Sequence, residues 1–257
     1  MKAYVRKGNM KNPKLYEYLK KEYAYSLEGW DFSHLNGRME EGVLPWSYRE
    51  VVKKYMNHAA TLLDMDTGGG EFLASLEDLP ATVMATEGYE PNIPVARARL
   101  EKKGISVVTC RNSGQLPFED AFFDVIINRH GSYHCKEIRR LLRPRGIFAT
   151  QQVGSLNAVD LNLSLGHVKS LEDWCLTGNI REFRREKFRI LECRENMGTY
   201  RFFDVGAIAW YLRCIPWQIP GFSLEEYGER MELLHEMIEE RGFLDFVSHR
   251  FYLVAQK

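Results

Sequence analysis

The chain has 257 residues, 45% of them hydrophobic and 27% charged, an ordinary globular balance that excludes wholesale disorder. Its 35 Lys+Arg and 35 Asp+Glu cancel, which argues against a dedicated nucleic-acid binder. No apolar run reaches the roughly 18 residues that cross a bilayer, and the charged, Tyr-rich opening lacks the pattern of a signal peptide. The five cysteines are scattered without a C-x-x-C pair, so no disulfide framework or zinc site is expected and a reducing cytoplasm fits.

Residues 15–27 and 48–60 carry helical periodicity, with Trp30, Phe32 and Trp46 set among turn signals between them. This predicts an N-terminal helical cap over residues 1–57. From residue 61 strands and helices alternate. Residues 61–65 form a short apolar strand, 71–76 a helix that Pro80 must end, and 81–86 a second strand. Residues 91–103 read as a helix whose prolines stay in its first turn, with Gly104 just past its end. Strands follow at 105–110, 122–128 and 146–153, with a helix at 134–142 stopped by Arg143-Pro144. This alternation predicts an α/β fold with a parallel sheet and right-handed crossovers. Further on, helices are expected at 170–176, 179–187, 204–214 and 222–241, the last with Ser223 and Glu226 as a capping box. Strands are expected at 188–192 and 246–255.

The most informative stretch is Leu62-Leu63-Asp64-Met65-Asp66-Thr67-Gly68-Gly69-Gly70-Glu71-Phe72, a buried strand running through three glycines into a helix. Glycine permits the tight turn and a close ligand approach, and free N–H groups at the helix start face the same crevice. Glu87 ends the next strand about 20 residues on, where an acid accepts hydrogen bonds from ribose hydroxyls. Leu73 stands where the dinucleotide fingerprint needs a small residue, and no Gly-Lys-Ser/Thr follows, so neither a pyrophosphate cradle nor a P-loop is indicated.

Asp64-x-Asp66-x-Gly68-x-Gly70 resembles the first motif of the class I S-adenosylmethionine-dependent methyltransferases, an acid followed by alternating glycines, with Asp66 in place of the first glycine. Glu87 matches the ribose-binding acid of that family. Residues 111–124 are similar to its loop after strand three, which assigns Asn112 and the Ser113 backbone to the adenine. Leu141-Leu142-Arg143-Pro144-Arg145-Gly146 resembles its Leu-x-Pro-Gly-Gly turn, with Arg145 replacing a glycine. The resemblance covers residues 61–153 and the last strand. It implies a doubly wound, mostly parallel seven-stranded sheet with the last strand antiparallel. It also implies a methyltransferase domain over residues 58–257, with an insertion at 155–222. The implied cofactor is S-adenosylmethionine, leaving S-adenosylhomocysteine as product.

The acceptor of such a reaction is expected over the ends of strands four and five, which places Asn128, Arg129 and His130 at the site. An Asn/Asp-Pro-Pro-aromatic motif, frequent where base amines are methylated, is missing from this segment. His130 is the candidate proton acceptor, because imidazole titrates near neutral pH. The alternative is a helix-start histidine that only hydrogen-bonds cofactor or backbone. Asn128, Arg129, Trp46 and Arg38 are candidate cofactor neighbours, Arg38 through the methionine carboxylate. Trp30, Phe32, Trp210, Tyr211 and Trp217 suggest a lid or the packing beneath one. The expected acceptor is a small molecule methylated at O or N. An RNA methyltransferase using the Arg-rich 179–189 segment, and a catalytically silent cofactor-binding protein, are the alternatives.

Overall fold

The computed structural model describes residues 10–27, 30–168 and 173–257. The N-terminal segment begins with α1 (Pro13–Ala24), capped by Asn12, whose side chain accepts from the N–H groups of Lys14 and Leu15. A short strand, β1 (Met39–Glu41), and α2 (Tyr48–Met56) lead into β2 (Thr61–Met65). The core alternation is α3 (Glu71–Ala74), β3 (Thr82–Glu87), α4 (Asn92–Leu100), β4 (Ser106–Thr109), β5 (Phe123–Arg129), α5 (Cys135–Leu141) and β6 (Leu142–Val153). Then come α6 (Val159–Ser164), α7 (Leu176–Arg185), β7 (Arg189–Phe202), α8 (Val205–Cys214), α9 (Leu224–Arg241) and β8 (Leu244–Gln256).

Among the described residues all strands lie in one sheet, in the order β1-β7-β8-β6-β5-β2-β3-β4. Strands β4, β3, β2, β5 and β6 run parallel, and β8 is antiparallel to both β6 and β7. The chain therefore winds outward from β2 in one direction and from β5 in the other. Their carboxyl ends flank the point of reversal, where the loops diverge and leave a crevice. All five residues of β2 are buried, as a strand covered on both faces requires.

Two apolar layers cover this sheet. One holds Val52, Met56, Leu62, Leu73 and Leu100; the other holds Leu63, Ile126, Ile138, Phe148, Phe183 and Leu253. A third core lies beyond the edge of β6. Strand β8 pairs with β6 only over Ile147–Val153, but with β7 along its whole length. The overhanging halves of β7 and β8 are backed by α1, α8 and α9 around Leu15, Leu19, Phe202, Trp210, Met231 and Phe246.

Several expectations are corrected. The sheet has eight strands, not seven, because the N-terminal segment is not wholly helical and contributes β1 at the β7 edge. The strand expected at 188–192 runs to Phe202; its half-exposed, polar-rich face hides it from a hydrophobicity reading. Helix α6 was not expected. Of the helix expected at 170–176, residues 170–172 lie outside the described residues, and α7 begins already at Leu176.

Leu19 is fully buried where α1 meets the third core. Leu19→Ala is expected to cost about 2–5 kcal/mol, read as a lower urea midpoint, and to speed proteolysis near residue 25.

Candidate functional site

The crevice is lined first by the loop leaving β2. Three alternate residues, Asp66, Gly68 and Gly70, have left-handed backbones, with φ of +53°, +64° and +79°. Asp adopts this region more readily than most residues, so the turn of the alternating-glycine motif survives the substitution at 66. At Gly70 a Cβ would lie 2.8 Å from Leu100, so glycine there also lets α3 pack on α4. Gly131, in the loop after β5, is a glycine of close approach. A Cβ there would lie 2.6 Å from the Asp66 Cβ and 2.7 Å from the Asn128 amide nitrogen.

Three carboxylates meet at this end of the sheet. Asp64 is buried, accepts from the Thr67 hydroxyl at 2.7 Å, and is pushed up to about 7 by burial, with Asp66 and Glu87 adding repulsion. Asp66 is raised to about 6 by burial and by Glu87, against the opposing N–H of Ser132. Glu87 is 4% exposed; burial raises its pKa, although its Oε1 accepts from the N–H groups of Gly88 (2.9 Å) and Tyr89 (2.7 Å). Fully buried Asn92, at the start of α4, lies against Glu87, and its amide favours the ionised carboxylate.

Aromatic rings stand over the loop. Trp30 Cδ1 lies 3.2 Å from where a Cβ on Gly68 would be. The Trp30 ring is 6.2 Å from Phe32, 6.3 Å from Tyr89 and 6.0 Å from Trp217.

Residues 63–150, from within β2 to the middle of β6, match the family model for a methyltransferase domain. A 94-residue stretch is 31% identical to the ubiquinone biosynthesis O-methyltransferase of Roseobacter denitrificans. Residues 63–150 form a methyltransferase domain.

The match to the Roseobacter protein covers 34% of this chain and only 38% of that relative. Among solved structures, a candidate methyltransferase from Bacillus halodurans C-125 superposes with a TM-score of 0.58 at 17% identity, covering 81% of this chain and 96% of that one. The [4+2]-cyclase SpnF superposes with a TM-score of 0.52 at 15% identity, covering 95% of this chain and 94% of that one. At such identities the likeness is one of fold, and the fold carries more than one activity.

In the methyltransferase domain Asp64, Asp66, Gly68, Gly70 and Glu87 converge on one crevice. Asn112 and Ser113 lie in the exposed turn beyond β4. The Asn112 side-chain oxygen accepts from the Gly114 N–H, and the Ser113 hydroxyl is 3.1 Å from that of Ser132, which ties this turn to the loop after β5. Arg129 lays its guanidinium over Phe72, 5.3 Å from the ring centroid.

Four other expectations change. Asn128 is fully buried, with its amide donating to the Met65 carbonyl and its oxygen accepting from Thr150 and Gln152, so it braces β2, β5 and β6 and does not face a ligand. Arg38 does not reach the crevice. Its guanidinium is spent on Asp204, Glu22 and the Tyr18 hydroxyl, clamping the N-terminal segment to α8. Trp46 donates to Gln151 (2.9 Å) and packs on Tyr252, over β6 and β8, two strands from the glycine loop. His130 opens to solvent at a left-handed φ of +67°, with its N–H bonded to the Gln151 carbonyl. The protein packed around it, with the guanidiniums of Arg250 and Arg129, lowers its pKa and favours the neutral imidazole. Of the aromatic residues, Trp30 and Trp217 reach the mouth, whereas Trp210 and Tyr211 are buried in the third core.

The sequence reading missed Tyr48 and Gln152. The buried Tyr48 hydroxyl bridges the carbonyls of Asn128 (3.0 Å) and Ala149 (2.8 Å), and its ring stacks on Phe72 beneath Arg129. Gln152 donates to the Asn128 oxygen (2.6 Å) and the Gly131 carbonyl (3.1 Å), fixing the loop against Asp66. Neither stands in a local motif; only burial in the assembled sheet reveals them.

Asp64 and Asp66 bind protons more tightly in the folded than in the unfolded chain. Their stabilising contribution is full near pH 4 and is lost as pH rises through about 6 to 7. The urea midpoint of the ligand-free protein should therefore fall between about pH 5 and pH 8, and by less in Asp64→Asn. Gly131→Ala, which drives a methyl group into Asp66, should weaken nucleoside binding at least about tenfold while leaving far-UV circular dichroism unchanged.

Proposed function

We propose that the protein transfers a methyl group from S-adenosylmethionine to a small-molecule acceptor at oxygen or nitrogen. The observation that carries this reading is the convergence, at the strand-order reversal, of the left-handed Asp66–Gly70 turn with Glu87 at the end of the neighbouring strand. Glu87 would hold the ribose hydroxyls, the loop from Asp64 to Gly70 the methionine portion, and Asn112 with the Ser113 backbone the adenine. The bound cofactor supplies an activated methyl group that a nucleophile displaces from sulfur.

The protein's own task is then positioning and exclusion of water. The acceptor side lies over β5 and β6, bounded by Arg129, His130, Gln151 and Trp46. The overhanging β7–β8 pair and β1 stand beside it, with Glu41 and Arg250 paired at 3.0 Å. The match to an O-methyltransferase supports oxygen as the accepting atom. A neutral His130 with a depressed pKa suits an orienting hydrogen bond to an acceptor that ionises unaided.

Calorimetric titration should give micromolar binding of S-adenosylmethionine and S-adenosylhomocysteine and none of NAD. Glu87→Ala should weaken both sulfur nucleotides roughly 10- to 100-fold, the loss of charge-assisted hydrogen bonds worth about 1.5–3 kcal/mol. No binding of either would overturn the reading. Once an acceptor is found, His130→Ala should lower kcat/KM by less than about tenfold and leave the pH profile above pH 6 unchanged. Loss of the rising, acid-side limb of the profile would show that His130 takes the proton.

A further inference from the structure

We propose that Asp66 makes the crevice discriminate the cationic methyl donor from its neutral demethylated product. This rests on the cofactor reading above. Asp66 holds a glycine-like backbone, φ +53°, yet adds a carboxylate that the turn itself does not need. The loop after β5 makes room for that carboxylate. A Cβ on Gly131 would lie 2.7 Å from the Asp66 Oδ2, and the Ser132 N–H bonds to the same side chain.

The charge of the crevice is unbalanced. Asp64 and Glu87 are buried nearby, and among the described residues no Lys or Arg nitrogen forms an ion pair with any of the three carboxylates. Arg129, the cation that approaches this group, is drawn onto the Phe72 ring.

A positive charge placed among partly desolvated carboxylates gains more than it does in water. Methyl transfer breaks the bond from methyl carbon to sulfur, leaves the bonding pair on sulfur, and so removes one positive charge from the nucleoside. The carboxylates therefore favour the donor and release the spent product. Asp64 is held back by its bond to Thr67 and is 3% exposed, whereas Asp66 is only partly buried and is the carboxylate that substitution can remove without disturbing the turn.

The test is calorimetric titration of the full chain with S-adenosylmethionine and S-adenosylhomocysteine, in wild type, Asp66→Asn and Asp66→Gly. Glycine suits the left-handed backbone, so the second variant guards against misfolding of the first. The ratio of product Kd to donor Kd should fall roughly 5- to 10-fold in both variants, through weaker donor binding. An unchanged ratio, whether both affinities are preserved or both drop equally, would overturn the role of Asp66 and leave the cofactor reading intact. No binding of either nucleoside to wild type would overturn both.

Discussion

The left-handed turn after β2 is the constraint on which the site depends. Residues 66, 68 and 70 all turn the chain back toward the crevice, and only glycine or a residue such as Asp does so cheaply. That turn sits where β2 and β5 lead in opposite directions, so no crossover covers it. Its neighbours are adjusted to it. Gly131 gives up a side chain to let Asp66 pass, Gln152 holds the Gly131 carbonyl, and Asn128 ties β2 to β6 beneath both.

The same turn concentrates charge. Burial raises the pKa of all three carboxylates, and Glu87 adds repulsion to Asp64 and Asp66. Across β5 and β6 the protein packed around His130, with the guanidiniums of Arg250 and Arg129, lowers its pKa.

The walls of the mouth come from a part of the chain that does not belong to the parallel sheet. Strands β7 and β8 outrun β6, and the third core grows on their overhang. Arg38 locks the N-terminal segment to α8 through Glu22 and Asp204. Trp30 and Trp217 are thereby carried to the glycine loop from sequence positions far apart.

The sequence by itself determined the parallel core, because buried strands, helix stops and glycine turns are local and periodic. It also determined the crevice residues Asp64, Asp66, Gly68, Gly70 and Glu87, whose spacing alone places them at adjacent strand ends. Tertiary structure decided what was not local. The length of β7 was hidden because its polar, half-exposed face carries no hydrophobic period. The roles of Asn128 and Arg38 turned on partners up to 166 residues away, which claim their donors before any ligand can. The same holds for His130: its ring chemistry suggested a base, but the crowding and the two guanidiniums that depress it exist only once β5 and β8 share a sheet.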